Sequence, residues 1–138
     1  MIFVDTSFFY ALFAADDEDH DRAVEVFKEF HGRNLPQLLV TTDLAVMETI
    51  TLARRRSTHH LAAFIGERLY SEKITRIHRT TFDEQRDAFE YFKRYADKEY
   101  STVDCLSFVV MDKLGITEAL AIDRDFTHRF TARPGPAR

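Results

Sequence analysis

Ile2-Phe3-Val4-Asp5-Thr6-Ser7-Phe8-Phe9 opens the chain with three apolar residues, one acid, two hydroxyl residues and an aromatic run that continues through Tyr10, Leu12 and Phe13. Ile2 to Val4 reads as a short buried strand. Asp5, Thr6 and Ser7 are helix-capping residue types, and Phe8 to Ala15 reads as the helix they introduce. A strand that ends on an acid and turns at once into a helix fits a parallel sheet, whose ligands bind at the carboxyl ends of its strands.

The same pattern recurs downstream. An acidic break at Asp16 to Asp19 precedes an amphipathic helix with Ala23, Val26, Phe27 and Phe30 at i, i+3, i+4 and i+7, stopped by Gly32 with Pro36 in the following loop. Leu38-Leu39-Val40 predicts a second strand, and Thr41-Thr42 opens a helix that carries Glu48 and runs to about Arg56. Leu61, Phe64, Ile65 and Leu69 mark another helix, and Ile74 to Ile77 a third strand. Thr81 with Glu84 forms a capping box before a helix that turns Phe82, Phe89, Phe92 and Tyr95 inward. Ser101 with Asp104 is a second such box, and its helix places Leu106, Val109, Val110 and Leu114 on one side before Gly115 ends it. Ala119 to Ile122 is the last strand, ending at Asp123. Strands alternating with helices predict an α/β fold of three layers, a mostly parallel central sheet flanked by helices. One domain over residues 1–130 is expected, with 131–138, around Arg133-Pro134-Gly135-Pro136, as a flexible tail.

Composition narrows the class. The chain has 138 residues, 45% hydrophobic and 30% charged, which suits one folded domain of roughly 100–150 residues and argues against disorder. Cys105 is the single cysteine, which excludes an internal disulfide and a cysteine-rich zinc site. The apolar N-terminus lacks a basic leader and is interrupted by Asp5, so it predicts a buried element of a cytoplasmic protein and not a signal or a membrane span. Net charge is −4, which does not by itself attract nucleic acid. Setting aside Asp5, Glu48, Asp104 and Asp123 leaves the chain neutral.

Those four acids are far apart in sequence but fall at strand ends or early in helices, where one rim of a parallel sheet would gather them. Each has a plainer reading: Asp5 and Asp104 as helix caps, Glu48 as a solvated helix residue, Asp123 as the start of a turn with Arg124 and Asp125. Gathered together, they repel and raise each other's pKa, and a cation must compensate. Oxygen donors select Mg2+ or Mn2+ over zinc, and such an ion supports hydrolysis of a phosphodiester by an activated water.

Four segments carry a family resemblance. Phe3-Val4-Asp5-Thr6-Ser7, Val46-Met47-Glu48-Thr49, Ser101-Thr102-Val103-Asp104-Cys105-Leu106-Ser107-Phe108 and Ala121-Ile122-Asp123-Arg124-Asp125-Phe126 resemble, in order and spacing from residue 2 to about 130, the four motifs of PIN domains. The length and arrangement are most similar to VapC toxins of toxin–antitoxin pairs. The resemblance implies a Mg2+-dependent ribonuclease with Asp5, Glu48, Asp104 and Asp123 as catalytic acids and Asp5, Asp104 and Asp123 as metal ligands. It also implies an RNA substrate, a homodimer and a VapB-type antitoxin.

Other residues rank behind these. Thr6, Ser7 and Thr102 either support the pocket or only cap helices. Arg55 lies i+7 from Glu48 and so could meet an RNA phosphate, although Arg54-Arg55-Arg56 also suits a helix C-terminus. Asp125 is expected in a turn, less important than Asp123. His59, His60 and His78 show no metal spacing and are expected at the surface. The Phe8 to Phe13 cluster covers more than one helix face and is read either as core or as a partner-binding surface beside the pocket. Rival readings fit less well: a nuclease acting on structured DNA wants an added arch or DNA-clamping segment that this short chain lacks. A receiver-like phosphate acceptor wants an acidic pair after the first strand and a lysine after the last. A haloacid-dehalogenase-type phosphatase wants an acid where Ser7 stands. A binding module without turnover has no reason to keep four acids.

Overall fold

The computed structural model describes residues 1–137. Five parallel strands form one sheet in the order β3-β2-β1-β4-β5. The strands are β1 (Ile2–Val4), β2 (Leu39–Thr42), β3 (Arg76–His78), β4 (Glu118–Ala121) and β5 (Thr131–Pro134). Strand β1 is central, and its neighbours set the register Ile2↔Leu39 and Phe3↔Val40 on one side, Phe3↔Ala119 and Val4↔Leu120 on the other.

Side chains alternate across a strand, so this register builds two cores at once. Val4, Leu39 and Leu120 face a layer that includes α1 (Thr6–Phe13), α2 (His20–Phe27), α4 (Asp43–Arg56) and α5 (His59–Tyr70). Phe3, Val40, Ala119 and Ala121 face α6 (Phe82–Arg94) and α7 (Thr102–Leu114). Both faces are covered, as a parallel sheet requires. No described helix is long and apolar enough to cross a membrane.

The helix starts follow the expected chemistry. Asp5, Thr42, Thr58, Thr81 and Ser101 each accept a backbone N–H of the helix that follows. Both predicted capping boxes form, and Gly115 ends α7 in the left-handed conformation at φ 70°.

Several expectations are corrected. Residues 131–134 are not tail but β5, held by pairing with β4 and by Arg133, which donates to Glu118 and Glu29. Gly135 continues the pattern, donating its N–H to Ala121 O. Pro36 lies in a short helix, α3 (Leu35–Leu38), because proline is tolerated in a first helical turn. Strand β4 stops at Ala121, so Ile122 separates it from Asp123. On α6 Phe82, Phe89 and Phe92 turn outward, with Phe82 73% and Phe89 52% exposed, while Ala88 and Glu84 face in and Tyr91 and the cap residue Tyr95 pack partly buried against the core. Glu84 there accepts hydrogen bonds from Thr81 N–H and Lys113 Nζ and pairs with His78, which is therefore half-buried and not a free surface residue. Phe8 and Phe9 of α1 are buried in the core, Tyr10 is buried with one edge on the acidic pocket, and Leu12 and Phe13 at the helix end are half-buried.

Candidate active site

The carboxyl ends of β1 and β4, the starts of α1 and α7 and the Glu48 side of α4 meet at one rim. There they enclose a pocket of about 380 Å3. Asp5, Glu48, Asp104 and Asp123 all line it, so the structure brings the four acids together. Asp125 lines it too, as do Asp17, Asp19 and Glu99.

Asp5 is the innermost acid, 3% exposed. Its Oδ2 accepts the Ser7 N–H at 3.1 Å and the Ser7 hydroxyl at 2.7 Å, which caps α1 and fixes the carboxylate. The same Ser7 oxygen accepts the N–H groups of Ile122 at 3.0 Å and Asp123 at 3.2 Å. One hydroxyl therefore ties the end of β1 to the loop after β4. Thr6 does a related job, donating from Oγ1 to Ala45 O at 3.2 Å and so joining α1 to α4.

Asp104 sits at the third position of α7. Its Oδ2 accepts the Ser101 N–H at 2.9 Å while its own N–H donates to Ser101 Oγ at 3.0 Å. The capping role and the pocket role thus belong to one side chain, and the plainer reading does not displace the functional one. Glu48 lies half-buried on the second turn of α4. Asp123 is exposed and caps a 3-10 turn, Arg124–His128, by accepting the Asp125 N–H at 3.1 Å. That turn swings Asp125 back to the pocket wall.

The electrostatics match this crowding. Burial pushes the Asp5 carboxyl up to about 6, with the Ser7 hydrogen bonds opposing and the charges of Asp123 and Glu48 adding. Burial and then the Asp5 charge push Asp104 up to about 7, with Asp125 and Asp123 contributing. Glu48 is raised by burial and by Asp104, partly offset by the Thr6 hydroxyl. Asp125 is raised by burial and by Asp123.

Two expected residues lie elsewhere. Thr102, one position past the cap, points into a cleft with Leu44, Gln85, Ala88, Phe89 and Leu106, and Ser101 takes the pocket-side place. Arg55 is exposed and absent from the pocket wall, where Leu52 and Arg56 continue the Glu48 side of α4. The wall leans toward α1, one residue away from the direction that helical spacing alone suggests. Cys105 is fully buried, and burial next to Asp104 pushes its thiol up to about 11, so it packs and does not react.

The donor set suits a hard cation. Every ionisable group at the centre is a carboxylate, and two of them sit buried with raised pKa values that a cation would relieve. Among the described residues, no three His, Cys, Asp or Glu side chains form a ready-made metal cluster.

Comparison with known proteins gives a consistent result. Residues 2–129 match the family model described as PIN domain. The chain is 38% identical over 127 residues, covering 92% of both chains, to the "23S rRNA-specific endonuclease VapC20" of Mycobacterium tuberculosis, in two strains. It also superposes on the crystal structure of M. tuberculosis VapC20, described as a sarcin–ricin-loop-cleaving toxin, with a TM-score of 0.84 at 35% identity over 93% of this chain and 94% of that one.

Proposed function

The chain belongs to the PIN-domain family, and from that premise we propose that it is a VapC-type toxin, a metal-dependent endoribonuclease that uses Mg2+ or Mn2+. The observation that carries the reading is the convergence of Asp5, Glu48, Asp104 and Asp123 at one rim of a parallel sheet, with two of the acids buried and reluctant to ionise. A receiver-like fold is set aside by the family match.

The bound ion would lower the pKa of water and stabilise charge on a phosphoryl oxygen. Asp5, Asp104 and Asp123 would hold it. Ser7 fixes the Asp5 carboxylate, and Ser101 N–H fixes that of Asp104, so neither needs to reorganise when substrate arrives. Glu48, half-buried and raised above the ordinary carboxylate range, is placed to take a proton from the attacking water at its carboxylate. The substrate is proposed to be 23S ribosomal RNA, following the relatives' activity.

A VapB-type antitoxin and a second copy of the chain are the proposed partners. A basic side chain of the antitoxin entering the acidic pocket would compete with the metal. The outward aromatics Phe82, Phe89 and Phe92 offer an apolar face for protein contacts.

The test is incubation of the purified protein with ribosomes in Mg2+ or Mn2+, followed by mapping of 23S rRNA ends. A single cut that disappears with chelator and in Asp5→Asn supports the reading. Intact rRNA under all metal conditions, or a cut unaffected by Asp5→Asn, overturns it.

A further inference from the structure

The pocket is lined by eight acids and, among the described residues, one base, Arg56. An RNA strand brought to this rim meets a wall of its own charge, and the metal offsets that only locally. The strand needs a cation beside the metal site. Arg56 ends α4, eight residues beyond Glu48, or roughly 12 Å along the helix axis. Its guanidinium stands over the Tyr10 ring, 5.7 Å from the centroid. Although Asp17 and Asp19 line the same pocket, Arg56 forms no ion pair among the described residues, and Asp19 is taken by Arg22. The guanidinium is thus exposed, supported from behind by a buried aromatic, and free on its outer side.

We propose that Arg56 binds an RNA phosphate adjacent to the scissile one, with Tyr10 as the platform that orients its planar fork. This rests on the ribonuclease reading of the same pocket. The axial offset from Glu48 places the contact to one side of the reacting centre, so Arg56 contributes to substrate binding and not to the chemical step. A planar fork matches two phosphate oxygens, which an ammonium does not. The alternative role, a cation at a helix C-terminus, is shared equally by Arg54 on the same last turn.

The experiment measures binding and turnover separately, with a fluorescein-labelled RNA hairpin of the sarcin–ricin loop sequence. Fluorescence anisotropy with Ca2+ in place of Mg2+ gives Kd across a salt series for the native chain, Arg56→Gln, Arg56→Lys, Arg55→Gln and Arg54→Gln. Arg56→Gln is expected to raise Kd about ten-fold at low salt and to flatten the slope of log Kd against log salt by about 0.7–0.9, the loss of one phosphate contact. Arg56→Lys should recover only part of the affinity, and Arg54→Gln should stay within two-fold. In Mg2+, Arg56→Gln should raise KM and leave kcat within three-fold. An unchanged Kd and slope in Arg56→Gln, or equal losses in all three arginine-to-glutamine variants, overturns the proposal. A native chain that binds the hairpin but never cuts it refutes the ribonuclease reading instead, and the salt series still decides Arg56.

Discussion

Replacing Asp104 with Asn should make the metal-free protein more stable, by an amount that grows with pH. Asp104 is 9% exposed, and its carboxyl is pushed from 3.8 up to about 7. A carboxyl raised in the folded state binds its proton more tightly there than in the unfolded chain. Its contribution to stability is therefore complete below about pH 4 and is lost as pH rises through 7. Between pH 5 and pH 8 the loss spans two pH units below that pKa, worth about 3 kcal/mol at 1.36 kcal/mol per unit. Side-chain relaxation makes this an upper bound. Asn keeps an oxygen that can accept the Ser101 N–H, so the capping box survives. Urea denaturation in chelator at pH 5, 6, 7 and 8 reads the difference between the two proteins, in which groups remote from Asp104 cancel and the coupled pocket acids are counted with it. The variant's advantage should be about 1–3 kcal/mol larger at pH 8 than at pH 5. Parallel curves would mean that Asp104 ionises freely in the folded state, and that crowding of charge is not what the pocket stores.

Other expectations follow from the same geometry. Mg2+ or Mn2+ should raise the melting temperature of the native protein and leave that of Asp104→Asn nearly unchanged, since an ion that binds only the folded state stabilises it; an equal rise in both places the ion elsewhere. Asp123→Asn and Asp125→Asn, assayed separately, should each lower cleavage at least ten-fold, about 1.4 kcal/mol of barrier; an active Asp125 variant would leave the fourth acid to Asp123 alone. Ser7→Ala removes the tie between β1 and the loop after β4 and should cost about 1–2 kcal/mol of stability in urea titrations, along with much of kcat; full activity would show that the loop holds itself. Glu84 is buried, which by itself raises its pKa, but the Thr81 N–H, Lys113 and His78 pull it down to about 2. Its stabilising contribution is present above about pH 4.5 and lost as pH falls toward 2, so Glu84→Gln should melt lower at pH 7 and converge with the native protein in acid.

The sequence carried the acids because each stands where the chain changes from strand to helix or enters a capped helix, and those junctions have recognisable residue types. Asp5 follows β1 directly, and Asp104 doubles as a cap, so local chemistry marked both. Asp125 lines the pocket beside Asp123 because a 3-10 turn, not a motif, returns it there. Arg56 and not Arg55 lines the pocket, because helical spacing assumes the partner lies straight along the axis, whereas the pocket leans toward Tyr10. Strand β5 was hidden because Thr131-Ala132-Arg133-Pro134 lacks an apolar alternation, and a short edge strand with a terminal proline needs none. The aromatics of α6 misled because aromatic residues are read as core until their helix is seen from both sides.

The hydroxyl of Ser7 has one further consequence. It accepts two N–H groups, from Ile122 and Asp123, so its single hydrogen is committed to Asp5 Oδ2. That oxygen, already receiving the Ser7 N–H as well, is saturated with donors and offers no seat for an incoming proton. Protonation of Asp5 is steered to Oδ1, the same atom a cation would take. Acid and metal then contend at Asp5 for one lone pair rather than for a diffuse negative patch; because Asp104 takes up its proton first, near pH 7, the apparent metal affinity should fall about tenfold per unit between pH 7 and 6 and more steeply below about pH 6.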